Sequence, residues 1–277
     1  MKQNKHSIIK MVRILMLAVV FISICFFGLG ISAQAKSKDK TPKPGWYMNK
    51  KGRVFYYNDK GKMLKKKKEY KIGKKYYYFD KNGMQRVGWI KYKGYYHYYN
   101  IAPKSKGYMV TNKTINGIKI DKKGRAVTNK NKAKILAKAN ETAFYITNFK
   151  MSQNQKNKAC FMYIRDKTNW RNLTSFRSDL SDWDQYYATY AIFRRYGDCY
   201  TGGCGFAYMA AAVGSKNVYA ASSGGHGWAI IDGYFYDPNW SWAMNNVNDY
   251  FKVPASLSGH GGRPDWARNG AYKKRVD

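Results

Sequence analysis

The sequence is poor in acid: 16 Asp and Glu stand against 51 Lys and Arg over 277 residues, a formal charge of +35. None of the acids in its second half stands in a recognisable catalytic carboxylate context, which argues against a glycan hydrolase working by paired carboxylates. Cysteine is also scarce. Of four, Cys25 falls in the first apolar run, leaving Cys160, Cys199 and Cys204. Three thiols do not complete a disulfide framework in an exported chain, so one at least is either reactive or inert and buried. Cys199 and Cys204 lie five apart with no second Cys or His pair, so no zinc site is expected, nor any other cofactor. Aromatic residues, in contrast, are abundant, with 26 Tyr and 8 Trp. With so much positive charge they point to a polyanion, a carbohydrate or both as partner. A hydrophobic content of 44% supports a packed core rather than global disorder.

Residues 1–35 read as a signal peptide: Lys2, Lys5, Lys10 and Arg13 precede the apolar run Ile14 to Ile31, and Ala33-Gln34-Ala35 forms an A-x-A cleavage pattern. The length of the run leaves an uncleaved membrane anchor as the alternative. Cys25 makes no lipoprotein site, because Ile24 stands where a small residue is needed. Export makes nucleic acid an unexpected partner. Residues 36–44, KSKDKTPKP, form a basic linker.

From residue 45 to about 128 the chain repeats itself. Gly52, Gly73, Gly94 and Gly117 are spaced by 21, 21 and 23 residues, and each opens or follows a short aromatic strand that ends at Asn58, Asp80, Asn100 or Asp121. Gly61, Gly83 and Gly124 close three of those second turns. Alternating aromatics between Gly and Asn or Asp turns signal β-hairpins, and a fixed period means small units that bury their faces against neighbours. Between Lys36 and Lys130 there are 28 basic and 5 acidic residues, including the run Lys65 to Lys68.

The segments GWYMNKKGRVFYYNDKGKM and GKKYYYFDKNGMQRVGW resemble the repeats of Gram-positive cell-wall-binding and choline-binding modules. The resemblance implies a cell-wall-associated protein whose partner is choline or wall glycan, and the basic excess of this exported, secreted chain makes an anionic wall polymer such as teichoic acid the natural counter-charge. The candidate ligand-binding rings are Trp46, Tyr56, Tyr57, Tyr77, Tyr78, Trp89, Tyr98 and Tyr99. Each can instead fill the core between hairpins, and two Trp in the whole segment are few for cages of that family's kind.

Composition changes after Val127, and residues 131–277 are long enough for a core of their own. Ala133, Leu136, Ala137, Asn140 and Phe144 have helical spacing, and Ser152 with Gln155 makes a capping-box pattern ahead of a second helix that carries Cys160. Ser181 to Arg195 is aromatic and consistent with a helix. The run from Gly197-Asp198-Cys199 to Gly214 reads as a buried helix with Cys199 at its start. There the positive end of the helix dipole favours a thiolate. Gly202, Gly203 and Gly205 each weaken such a helix by about 1 kcal/mol relative to Ala, so close packing must compensate. HGWAII alternates into an Asp232-Gly233 turn and YFYD returns, which brings His226 and Asp237 to the same end of a hairpin. An Asp beside a His fixes its tautomer and stabilises the imidazolium, and a His beside a Cys activates it.

GDCY, GGHGWAIIDG and YFYDPNW resemble, in order, the motifs of the transglutaminase-like superfamily. The resemblance implies a papain-like α+β domain with Cys199 as nucleophile, His226 as general base and acid and Asp237 as orienter, acting on a protein or peptide that carries an amide. The whole chain is therefore expected to be α+β: an all-β hairpin-repeat module over 45–128, followed by a catalytic domain over 131–277. Cross-linking, hydrolysis and deamidation stay open, as does a non-catalytic wall binder with a degenerate second domain. Cys204 reads as structural, with or without a bond to Cys160. The Cys199 backbone N–H reads as an oxyanion donor, with Trp183, Gln185 and Tyr196 as candidates for a second.

Overall fold

The computed structural model describes residues 42–172 and 175–277, so the expected leader and most of the linker lie outside the described residues. The repeats form hairpins. Strand β1 (Gly45–Met48) pairs with β2 (Val54–Tyr57), and β3 (Lys68–Ile72) with β4 (Lys75–Phe79), which also pairs with β5 (Gln85–Arg86). Next come β6 (Gly88–Tyr92) with β7 (Tyr95–Tyr99), and β8 (Lys113–Ile115) with β9 (Ile118–Ile120). The connections Lys93-Gly94 and Asn116-Gly117 have positive φ at both residues (46° and 84°, 53° and 69°). That backbone matches the twist of the flanking strands and favours Asn and Gly. Between hairpins the acid or amide closes its own turn. Asp80 Oδ1 accepts the N–H groups of Asn82 and Met84, both at 2.9 Å, and Asn58 and Asp121 do the same two and four residues on. Asn100 lacks the closing glycine, and there the chain makes a 3-10 turn at Lys104–Lys106. The buried Gln85 side chain pins that turn through the Lys104 N–H (2.8 Å) and carbonyl (2.7 Å).

Helix α1 (Lys130–Ile146) follows the repeats and buries Ala133, Ile135, Leu136, Ala139, Asn140 and Ala143. Helix α2 (Gln153–Lys167) opens on the expected box: Ser152 Oγ accepts from Gln155 N, and the Gln155 side chain accepts from Ser152 N. Helix α3 (Trp183–Thr189) widens into a π turn at Tyr190–Arg194 and stops at Arg195, whose φ is 54°. Two-residue strands β10 (Asn169–Trp170) and β11 (Tyr196–Gly197) pair in parallel just ahead of helix α4 (Cys199–Ala212). The remaining strands, β12 (Val218–Ser222), β13 (Gly227–Ile231), β14 (Tyr234–Tyr236), β15 (Phe251–Val253) and β16 (Tyr272–Arg275), make one five-stranded antiparallel sheet in the order β15-β14-β13-β12-β16. The chain is thus a mixed α+β protein with several small hairpin sheets.

From Lys43 to Asp277 the chain is one compact unit. Trp89, Val110, Ile118 and Ile120 of the repeats lie in the same core as Leu136 of α1 and Phe206 of α4. Polar bonds reinforce the join: Asn140 Nδ2 donates to the carbonyls of Val87 (2.6 Å) and Trp89 (3.1 Å). The physical reason is shared need. A short hairpin and an amphipathic helix each have one apolar face, and each covers the other.

Candidate active site

Cys199 is the first residue of α4. Asp198 caps the helix, its carboxylate accepting from Thr201 N at 3.1 Å. The helix behind it is buried on all sides, and its glycines are points of contact. A Cβ on Gly203 would sit 2.6 Å from the Trp228 carbonyl oxygen, one on Gly202 2.7 Å from the Trp170 ring and one on Gly205 2.3 Å from the Ala191 methyl. Gly203 lets the helix lie directly on β13, while Gly202 and Gly205 admit the Trp170 ring and the Ala191 methyl, and this close packing offsets the weakening of the helix.

Cys199 is half-buried, whereas Cys160 and Cys204 are fully buried, and all three are free thiols. Burial pushes the Cys160 thiol up to about 12, with Lys156 opposing, and raises Cys204 as well. Both are poor nucleophiles.

His226 immediately precedes β13. Its N–H donates to Ser223 Oγ at 2.9 Å, and Tyr200 on α4 donates its hydroxyl to the Gly224 carbonyl at 2.7 Å, tying the loop to the helix. A Cβ on Gly227 would lie 2.6 Å from Tyr200 Cα, so only glycine permits this approach of loop and helix start. The imidazole stacks on Trp228 at 6.0 Å and meets the edge of Trp240 at 6.3 Å.

Asp237 follows β14 and is 0% exposed. Its Oδ1 accepts from Trp240 N at 2.9 Å, capping the short helix α5 (Pro238–Ala243) with Pro238 at the first position. Its Oδ2 lies 2.5 Å from His226 Nε2 and accepts from Trp266 Nε1 at 3.0 Å. With Nε2 engaged, Nδ1 is the imidazole nitrogen left for the thiol. Burial disfavours the charged imidazole, but the Asp237 carboxylate and its hydrogen bond, together with the Cys199 contact, outweigh burial and raise the His226 pKa to about 10. The arrangement favours an imidazolium at neutral pH, held between a carboxylate and a sulfur.

Trp266 was not legible as a site residue. It lies on the four-residue helix α6 (Trp266–Asn269), 29 positions beyond Asp237, and the only local signal is the Asp265 cap that begins the helix. Trp266→Phe keeps the ring and deletes the donor. Loss of about 1 kcal/mol in denaturant unfolding is expected, since Asp237 then keeps two of its three partners; an unchanged midpoint would show the bond to be idle. Among the other candidates, Gln185 accepts from Asn131 Nδ2 at 2.9 Å, Trp183 packs against Phe176 and Tyr196 lies on β11. Asp232 is a turn residue with φ 49°, bonded by Asn217. Among the described residues no group of three His, Cys, Asp or Glu is arranged to hold a metal.

In the repeats Tyr77, Tyr78, Trp89, Tyr98 and Tyr99 are at most 9% exposed. Protein covers their faces, Trp89 and Tyr98 lying in the core shared with α1 and Tyr78 and Tyr99 in a smaller cluster within the repeats, which narrows the candidates for ligand contact. Trp89 Nε1 donates to Asn116 Oδ1 at 2.8 Å, and the Tyr99 hydroxyl donates to Glu69. Trp46, Tyr56 and Tyr57 keep partial exposure, and Trp46 packs against Tyr56, Tyr77 and Phe79 at 5.0, 4.9 and 5.9 Å.

No family model matches the chain, and no curated protein matches it. Among solved structures it is similar to choline binding protein F from Streptococcus pneumoniae, in the presence of a tetrasaccharide-pentapeptide peptidoglycan analogue: 26% identity over 31% of this chain and 27% of that one, TM-score 0.27. The choline binding domain of a second Streptococcus pneumoniae protein matches at 25% identity over 31% of this chain and 96% of that one, TM-score 0.26. The Cpl-1 endolysin complexed with a peptidoglycan analogue matches at 29% over 33% and 27%, TM-score 0.26. The chain thus spans about a quarter of the first and third of these proteins. Likenesses of this extent establish no shared overall fold, and none of the three is described as transglutaminase-like.

Proposed function

We propose that the chain is a secreted, cell-wall-associated cysteine acyltransferase or hydrolase of the transglutaminase-like kind. The observation that carries the reading is His226, held by the fully buried Asp237 carboxylate while contacting Cys199 at the first turn of a buried helix. The thiolate of Cys199 attacks the carbonyl carbon of a carboxamide or peptide, and the Cys199 N–H, at the helix start, faces the developing oxyanion. As the C–N bond breaks, the imidazolium gives its proton to the leaving amine, and a thioester remains. Neutral His226 then takes a proton from water or a second amine as that oxygen or nitrogen attacks the thioester. The C–S bond breaks, and thiolate and imidazolium are restored. Water gives hydrolysis or deamidation, and an amine gives a cross-link. Asp237 holds the ring and its charge throughout.

The test is iodoacetamide labelling of the folded mature chain between pH 6 and 8, mapped by mass spectrometry. Cys199 is expected to react at least about tenfold faster than Cys160 and Cys204, which burial protects. In His226→Ala the Cys199 rate at neutral pH should fall by at least about tenfold, while the two buried thiols stay slow. A Cys199 that labels as fast in His226→Ala as in wild type would overturn the reading.

A second reading, a wall binder without catalysis, rests on Trp46, Tyr56 and Tyr57, whose rings stay partly open on a basic module. It requires wall retention to persist with no chemistry at Cys199.

A further inference from the structure

A second concavity lies away from Cys199, between the second and third hairpins and the outer face of α1. It is an open cleft of about 640 Å³ lined by six cationic side chains, Lys67, Lys81, Arg86, Lys91, Lys134 and Lys138. Two carboxylates share the lining, and both are occupied. Glu141 pairs with Lys138 at 2.8 Å, and Asp80 Oδ1 accepts two backbone N–H groups. Among the described residues no carboxylate pairs with Lys67, Lys81, Lys91 or Lys134. Such a concentration of like charge repels itself, and a bound anion relieves the repulsion.

Arg86 adds an independent sign. Its guanidinium stacks 4.0 Å above the Phe144 ring, and its Nε is buried without a hydrogen-bond partner. Burial lowers its pKa against the pull of Asp80. Packed on Phe144 with its Nε buried, the Arg86 side chain stands as a fixed cation in the cleft wall. Open rings alternate with the cations. Tyr145 is 67% and Phe193 40% exposed; Lys134 Nζ lies 5.4 Å from the Phe193 centroid and Lys91 Nζ 5.8 Å from that of Tyr96. Cations that neutralise charge and flat faces that stack on sugar or polyol carbons are the two needs of a sugar-based polyanion.

We propose that this cleft binds a linear polyanion of sugars or polyols joined through phosphodiesters. The proposal rests on the reading of the chain as wall-associated and is independent of chemistry at Cys199. The site is distinct from the partly open rings around Trp46.

The experiment is titration of the folded mature chain with poly(glycerol phosphate) chains over a range of salt, with chitotetraose as the uncharged control. Lys81→Gln/Lys91→Gln/Lys134→Gln removes three exposed cleft charges; Lys113→Gln/Lys119→Gln/Lys123→Gln removes three exposed charges on the last hairpin region. The cleft variant is expected to bind at least about tenfold more weakly and to flatten the dependence of log Kd on log salt by about two, with the control variant close to wild type. Equal loss in both variants would reduce the effect to bulk charge and overturn the proposal, as would no loss in either. Tighter binding to polygalacturonate than to the phosphate polymer would also overturn it. Retention on whole wall sacculi is measured in parallel: if it persists in wild type without affinity for the phosphate polymer, the cleft proposal fails and wall association stands.

Discussion

Asp237→Ala is expected to slow amide-bond turnover at Cys199 by about 10³–10⁴-fold, the loss typical when the group that orients a catalytic His is removed. Three donors lose their acceptor at once: the imidazole, the Trp266 indole and the Trp240 N–H that begins α5. Asp237→Asn removes the negative charge while its amide oxygen still accepts at the cap, and its NH2 then faces the imidazole and the Trp266 indole, which loses its acceptor. With the carboxylate, the His226 pKa of about 10 places the alkaline limb of activity near pH 10. Without it burial prevails, and the limb should move down by roughly 1–3 pH units. The same shift links pH to folding. A pKa raised from 6.5 means that the folded chain binds a proton the unfolded chain lacks between about pH 6.5 and 10. The stability it contributes is complete below 6.5 and lost as pH rises through 10. Denaturant midpoints of wild type should fall across that window relative to Asp237→Asn; parallel curves would contradict the assignment of the shift to Asp237.

Gly203→Ala is expected to destabilise the chain by about 2–3 kcal/mol, although alanine is the better helix former by about 1 kcal/mol. The added methyl would stand 2.6–2.7 Å from backbone atoms of Trp228, and backbone at the centre of a sheet cannot swing aside as a side chain can. Relief requires α4 to lift from β13, which also draws Cys199 from His226. Gly225→Ala is the control: the nearest atom to its Cβ is the Ser223 hydroxyl at 3.9 Å, and little change is expected beside the same loop. Equilibrium denaturation of both variants decides the matter. A stable Gly203→Ala with normal thiol reactivity would mean that the contact of helix and strand is loose.

Much of the local structure was legible. Glycine, asparagine and aspartate mark turns because they enter the required conformations most cheaply, so the hairpins follow from spacing even where Lys93 takes one such position. Ser152 and Gln155 announce α2 through their own side-chain chemistry. The Asp232-Gly233 turn fixes where His226 and Asp237 fall along their hairpin, since the two strands must run back from it in step. What alternation cannot reveal is the partner of an apolar face. Trp89 and Ile118 could have packed on neighbouring repeats alone; instead α1 covers them, a choice made by three-dimensional packing. The Trp266 bond to Asp237 was hidden for the same reason, as nothing local to either residue names the other. The π turn at Tyr190–Arg194 likewise carries no sequence mark in this chain.

The join between the repeats and α1 has a consequence for engineering. Leu136, Ala139 and Ala143 share one core with Trp89, Ile118 and Ile120 of the hairpins, and Asn140 is anchored to the hairpin backbone. The repeats are therefore no interchangeable cassette. A graft of the Cys199 half onto another targeting module, or its excision at residue 129, would strip an apolar helix of its cover and invite aggregation. A chimera that keeps α1 under its native hairpins, and adds new targeting ahead of Gly45, respects the seam that the chain itself has chosen.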